Sequence, residues 1–351
     1  MTKLPPFARS LLELIPATIC AFIGGYVFAL INLPAPWISG AMLGAMLSAF
    51  IRPLPEMPVR MRDCALLLAG TTMGAGVTPE TVTLMAKAPL SFAILAVCVI
   101  VILYLSSWWL ARFHGWRRED ALLAAAPGAL STVLALGIAR GGDIIGIAVV
   151  QTMRLFILIA LLPTVIGWLE GSSAIPMSSM ATMSWGLLGL MLIGGAISAY
   201  LLSYLKLAAA AMIGGALFGA ALHGAGLVSG YPPAPVAIAG FVMIGVMIAT
   251  RTRGITWRAI GQYAGASIAS LAIGAIVAAL FSLLAAWLIN VRIGAALLAF
   301  APGGVEAMTI LSMSLAYDPL YVAAHHIARF MGIGLCIPLW FRFVDRNQSA
   351  K

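Results

Sequence analysis

Charge is the scarcest property of this sequence. Asp, Glu, Lys and Arg make up 9% of its 351 residues, against about 25% in soluble domains, which excludes a water-soluble fold. Acidic residues are the rarer sign, 11 against 20 basic ones. The resulting net charge of +9 sits in short loops between apolar runs, with no basic arm or helix, so it argues against a nucleic-acid partner. Cysteine and histidine number only four each. Cys20, Cys64, Cys98 and Cys336 have no CxxC spacing, which argues against a disulfide framework or a zinc site. His114 and His223 stand near segment ends, and the adjacent His325 and His326 would point about 100° apart on a helix, a poor arrangement for sharing a metal. No enzyme centre, cofactor or metal site is expected.

What the chain has instead is apolar length. Hydrophobic residues make up 62%, gathered in twelve segments near 12–32, 33–50, 64–77, 85–111, 119–140, 145–169, 182–204, 207–222, 232–250, 258–290, 293–316 and 319–341. A membrane helix needs roughly 20 such residues, so the expected class is an all-α polytopic membrane protein whose partner is the lipid bilayer. Lys3 and Arg9 precede a first run that extends beyond a signal peptide's apolar region without an evident cleavage site, which reads as a retained span. Segments six and twelve are expected to end near Pro163 and Pro338.

The twelve segments are six repeated. Ala126-Pro127-Gly128, Asp143, Arg154 and Pro163 recur as Ala301-Pro302-Gly303, Asp318, Arg329 and Pro338 at one offset of 175 residues. Arg117 matches Arg292, and Gly40 and Gly44 match Gly215 and Gly219, without slippage. Residues 1–175 and 176–351 are therefore two copies of one unit.

Basic residues favour the cytoplasmic side of short loops. If all twelve segments span, the two sides hold twelve and six basic residues, a poor partition. If segments five and eleven enter and return, the partition becomes sixteen against two, with Arg154 and Arg329 buried. The expected topology is then ten spans plus two broken re-entrant hairpins, five spans and one hairpin per copy, with twelve spans as the alternative. An odd number of spans per copy inverts the second relative to the first, the plan of many secondary transporters. Proline removes a donor and glycine tolerates unusual dihedrals, so Pro127-Gly128 and Pro302-Gly303-Gly304 can each separate two half-helices. Asp143 and Asp318 read as helix N-caps, as do Thr78-Pro79-Glu80 and Thr256. The rows Gly40, Gly44 and Gly215, Gly219 read as close helix packing, and segments one, two, seven and eight as scaffold or homodimer surfaces.

Arginine at mid-membrane depth is costly and marks function or a buried pair. Arg154 and Arg329 lie about nine and ten residues into their segments, with Gln151 and His326 three residues earlier on the same helical face. Beside them, the second half-helix of each hairpin would present its amino end, near Ser131 and Thr132 in one copy and after Gly304 in the other. Arg154, Arg329, Gln151, Pro127, Gly128, Ser131, Thr132, Pro302, Gly303 and Gly304 form the candidate site for a small anionic solute. Alternatively, the arginines hold tip carbonyls or Glu306. The copies differ where Ser131 becomes Glu306 and Val150 becomes His325, so Glu306, His325 and His326 are candidates for proton coupling, with sodium on tip carbonyls and Ser131 or Thr132 as the rival.

Leu33-Pro34-Ala35-Pro36-Trp37 with Gly40, Pro127-Gly128-Ala129-Leu130-Ser131, the run from Asp143 to Gln151-Thr152-Met153-Arg154, Pro302-Gly303-Gly304-Val305-Glu306 and the run from Asp318 to Arg329 together resemble the bacterial AbrB membrane-protein family. The resemblance covers essentially the whole chain; His325 and His326 depart from the first copy's Val150 and Gln151. It implies the inner membrane of a bacterium, and the topology above puts both termini in the cytoplasm. Family members carry labels as regulators of gene expression or as ammonia monooxygenases. The expected function is an elevator-like secondary transporter for a small anionic organic solute with ion coupling; the alternative is a membrane-embedded regulator or sensor.

Overall fold

Among the described residues, every α-helix of the first copy has a counterpart in the second. The computed structural model describes residues 6–33, 35–76, 88–128, 130–170, 181–204 and 210–349, without the side chains of 6–9, 88, 131–132, 338–339 and 342–349. The first copy forms α1 (Pro6–Leu30), α2 (Pro36–Ile51), α3 (Val59–Gly74), α4 (Ala88–Phe113), α5 (Arg118–Ala125), α6 (Leu130–Ala139) and α7 (Ile144–Glu170). The second forms α8 (Trp185–Ser203), α9 (Ala210–Gly224), α10 (Ala234–Ala249), α11 (Trp257–Ile289), α12 (Ile293–Phe300), α13 (Val305–Ser314) and α14 (Pro319–Ser349). Helices α3 and α10, α5 and α12, and α6 and α13 share their bounds at the 175-residue offset. The protein is an all-α membrane protein: among the described residues the only extended pairing is an isolated bridge between Thr182 and Tyr231, and seven helices are long and apolar enough to cross a membrane.

Segments five and eleven each divide in two, after Ala125 and after Phe300, where Pro127 and Pro302 follow. The prolines in segments six and twelve act differently. Helix α7 runs through Pro163 to Glu170, and α14 runs past Pro338 to Ser349, correcting the expectation that these segments end there. The expected caps form. Asp143 Oδ1 accepts from Gly146 N at 3.0 Å, Asp318 Oδ1 from Leu320 N and Tyr321 N at 2.8 and 3.0 Å, and Thr256 Oγ1 from Ala259 N at 3.2 Å. Thr78-Pro79-Glu80 lies outside the described residues.

The chain divides into two compact units, each drawing on both copies. The first comprises 1–86, 159–254 and 306–323. Within it α2 packs on α1 and α10, while α9 packs on α8 and α3, a reciprocal exchange between equivalent helices. The glycine rows make these contacts. A Cβ on Gly44 would stand 2.1 Å from Cys20 O, and one on Gly215 would stand 2.8 Å from Leu67 O, so only glycine lets these backbones approach so closely.

The second unit comprises 87–158, 255–305 and 324–351. Here α4 packs against α11 and α5, and α12 against α11. Leu110, Leu123, Val133, Ile147 and Val150 form a fully buried core around α5 and α6. These two short helices fold back on each other. Arg117 Nη1, at the start of α5, donates to Gly141 O beyond the end of α6 at 3.1 Å, and Arg140 Nη1 pairs with Glu119 Oε1 at 3.0 Å. The Arg140 guanidinium also lies 4.1 Å over the Phe341 ring, which seals the same end.

Candidate functional site

A helix that stops inside a membrane leaves its last carbonyls without intrahelical donors, and lipid offers none. Helix α5 ends at Ala125, which is fully buried. Arg154 Nη1 donates to Ala125 O at 3.0 Å and Nη2 to Ala126 O at 2.9 Å, while Gln151 Nε2 donates to Leu123 O at 2.8 Å. Both side chains come from α7, one turn apart on one face. Arg154 is only 2% exposed, so these are desolvated, charge-assisted bonds. The cation also faces the negative end of the α5 dipole.

The second break follows the same plan with its fork moved toward the tip: Ala301 and Gly303 are the counterparts of Ala126 and Gly128, while Phe300, the counterpart of Ala125, accepts only a longer bond from Arg329 Nη1 at 3.4 Å. Arg329 Nη1 donates to Ala301 O at 2.7 Å and Nη2 to Gly303 O at 2.9 Å, and His326 Nε2 donates to Leu298 O at 2.9 Å. Leu298 is the counterpart of Leu123, and His326 that of Gln151. His326 does one thing more than glutamine: its Nδ1 accepts from Arg329 Nη2. A ring that donates through Nε2 and accepts through Nδ1 is neutral, because an imidazolium would aim two hydrogens at one point. Packing thus fixes both the tautomer and the guanidinium plane.

The two tips approach each other. Pro127, Pro302, Gly303 and Gly304 are buried while Gly128 is exposed, and a Cβ on Gly128 would stand 3.4 Å from Gly303 O. Gly128 has φ +94°, open to glycine at little cost. Ser131 and Thr132 lie in the first turn of α6, their side chains outside those described. The sequence-predicted residues of both breaks therefore meet in one unit around α7 and α14, with the arginines bonded to tip carbonyls.

The three candidates for ion coupling do not form one cluster. His325 Nε2 lies 2.6 Å from Ser91 Oγ, and its ring tilts against Phe92 and Phe300 at 4.7 and 5.8 Å. Glu306 pairs with Arg251 at 3.6 Å, its side chain 18% exposed, so the alternative of a Glu306–Arg329 pair gives way to this one. Tyr263 donates to Asp143 Oδ2 at 2.5 Å. Nothing in the sequence marked Ser91, Arg251 or Tyr263 as partners. The carbonyl partners of the arginines did carry a signal: 28 residues separate Ala126 from Arg154 and Ala301 from Arg329. Among the described residues, no group of three or more His, Cys, Asp or Glu side chains is placed to hold a metal.

Sequence comparisons with known proteins extend over most of the chain. A sequence model of the family described as "Transition state regulatory protein AbrB" matches residues 37–345. The chain is 22% identical to "Uncharacterized protein YhjN" of Bacillus subtilis (strain 168), over 93% of this chain and 92% of that one. It is 31% identical to "Putative regulator AbrB" of Escherichia coli (strain K12), over 43% of each chain.

Proposed function

The chain belongs to the AbrB family of membrane proteins, and from that premise we propose that it is a secondary active transporter for a small anionic organic solute. The observation that carries this reading is the pair of helix breaks whose carboxyl ends are capped by buried Arg154 and Arg329. A helix carboxyl end carries roughly −0.5 of a charge and an arginine +1, so each capped break keeps about +0.5, to which the amino end of the following half-helix adds about as much. Two such tips meeting at Gly128 and Gly303 attract anions without any exposed lysine. The arginines then act as fixed cations behind the tip, and the amides at the start of α6 and α13 contact the carboxylate.

The topology that suits this chemistry has two inverted copies, each with five spans and one re-entrant hairpin, both termini in the cytoplasm and the protein in the inner membrane of a bacterium. The return of α6 to the start of α5 supports a re-entrant hairpin, and the basic-residue partition supports the inversion. In an elevator-like cycle the unit that holds both tips exposes them alternately to the two sides. A homodimer would anchor that motion. Coupling falls to a proton on Glu306, with His325 and His326 as further candidates, or to sodium at the tip carbonyls with Ser131 or Thr132. A regulatory role is the second reading, favoured by the family's description.

The test has two parts. Single cysteines at Arg140 and Arg258, in a background without the four native ones, should label only from the cytoplasm; labelling from outside makes the copies parallel and removes the hairpins. Proteoliposomes should accumulate labelled mono- or dicarboxylates under a proton or sodium gradient. Cytoplasmic labelling without uptake of any organic anion leaves the topology standing and favours the regulator.

A further inference from the structure

One side of the second unit carries a groove of about 830 Å³ that the transport reading does not use. Its walls come from one face of α4, with Leu103, Tyr104 and Trp108, and from Ile337 and Trp340 of α14. These are apolar or amphipathic side chains, and Tyr104, Trp108 and Trp340 are about half exposed or more. At one end stand Arg112, in the last turn of α4, and Arg118, the first residue of α5. Both arginines are exposed.

Charge and length together select the occupant. The carboxylates nearest in sequence to Arg118 are Glu119 and Asp120, and they face other cations: Glu119 pairs with Arg140 at 3.0 Å, and Arg117 lies 3.6 Å from Glu119 and 4.0 Å from Asp120. Among the described residues neither Arg112 nor Arg118 has an acidic partner; Arg112 lies 5.8 Å over Phe113. The groove thus ends in two cations that no described carboxylate pairs with. From Arg112 it follows α4 back to Ile100, a rise of about 18 Å at 1.5 Å per residue. One leaflet's hydrocarbon is about 15 Å deep, half of a 30 Å core. A cationic end at headgroup level, aromatic rings just beneath it and an apolar channel one leaflet deep match a single class of molecule.

We propose that this groove is a binding site for an anionic phospholipid, its phosphate on Arg112 and Arg118 and an acyl chain laid along α4 between Trp108 and Trp340. The site is separate from the Pro-Gly tips, and its occupancy does not depend on any transported solute.

The groove holds its own reporter. Cys336 lines it and is exposed, whereas Cys98 is buried. In the full chain carrying C20S and C64S, the rate of maleimide addition to Cys336 is measured in detergent as phosphatidylglycerol or phosphatidylcholine is added at equal mole fraction. The expected result is at least about a threefold slowing by phosphatidylglycerol at a fraction where phosphatidylcholine has little effect. R112Q with R118Q should reduce that slowing to the phosphatidylcholine level. A111W should abolish it with both arginines intact, by filling the groove. Equal slowing by the two lipids, or undiminished protection in the R112Q/R118Q protein, overturns the proposal. So does protection that appears without added lipid and tracks dimer formation on size-exclusion chromatography, which assigns the groove to a second copy of the chain.

Discussion

Arg154→Met removes both guanidinium donors to the end of α5 while keeping an unbranched apolar stem and the Gln151 bond to Leu123 O, so it isolates the capping role of the arginine. Two buried carbonyls, Ala125 O and Ala126 O, lose partners at 3.0 and 2.9 Å. Leaving a buried polar group unpaired costs about 1–3 kcal/mol, which puts the loss at about 2–6 kcal/mol. Ordinary polar contacts between membrane helices average only about 0.6 kcal/mol, because the unfolded chain in lipid finds other partners. Helix-end carbonyls at a Pro-Gly break have no alternative within their own helix, which places this pair in the higher range. Arg154→Lys keeps the charge and its donors but loses the planar fork that reaches the two carbonyls from separate nitrogens, so a smaller loss than for Arg154→Met is expected. Reversible unfolding of the purified protein in mixed micelles, titrated with a denaturing detergent, reads the difference directly. A loss below about 1 kcal/mol for Arg154→Met would refute the capping account. Abolished uptake with unchanged stability would instead return Arg154 to direct contact with solute.

Three further outcomes follow from the same geometry. His326→Gln places the first copy's residue in the second break and keeps a donor for Leu298 O, so stability should change by less than about 1 kcal/mol, whereas His326→Leu leaves that carbonyl unpaired and costs about 1–3 kcal/mol; equal effects in the same unfolding assay contradict the assignment. Gly44→Ala drives a Cβ to within 2.1 Å of Cys20 O on α1, a backbone atom that cannot swing aside, and should cost about 1–3 kcal/mol through separation of α1 and α2; an unchanged midpoint would mean that the two helices are not held there. Glu306→Gln should make proton-driven uptake independent of pH, measured as initial rates in proteoliposomes across a pH series, and an unaltered profile removes Glu306 as the proton carrier.

Much of this molecule was legible in the sequence because the informative features are local or repeated. The 175-residue offset exposes the duplication, and proline before glycine inside an apolar run exposes the breaks, since a missing donor ends a helix wherever it occurs. Asp143, Asp318 and Thr256 were readable as caps, because a cap bonds within three residues of itself. Pro163 and Pro338 were misread by the same rule. A proline inside an apolar helix can be carried through when neighbouring groups re-satisfy the backbone, and local sequence does not contain those neighbours.

Sequence alone determined which bonds this chain must find: a charge inside a long apolar run requires partners, and so do the carbonyls at a broken helix. Only the tertiary structure decided that these two demands answer each other, when α7 and α14 bring Arg154 and Arg329 to within 3 Å of carbonyls nearly 30 residues back along the chain. It likewise decided that Glu306 faces Arg251, that His325 meets Ser91, and that α4 and α14 enclose a groove ending in Arg112 and Arg118. Residue type fixes a group's donors, acceptors and charge. Which of them comes within bonding distance depends on how distant helices pack, and that is a property of the whole fold.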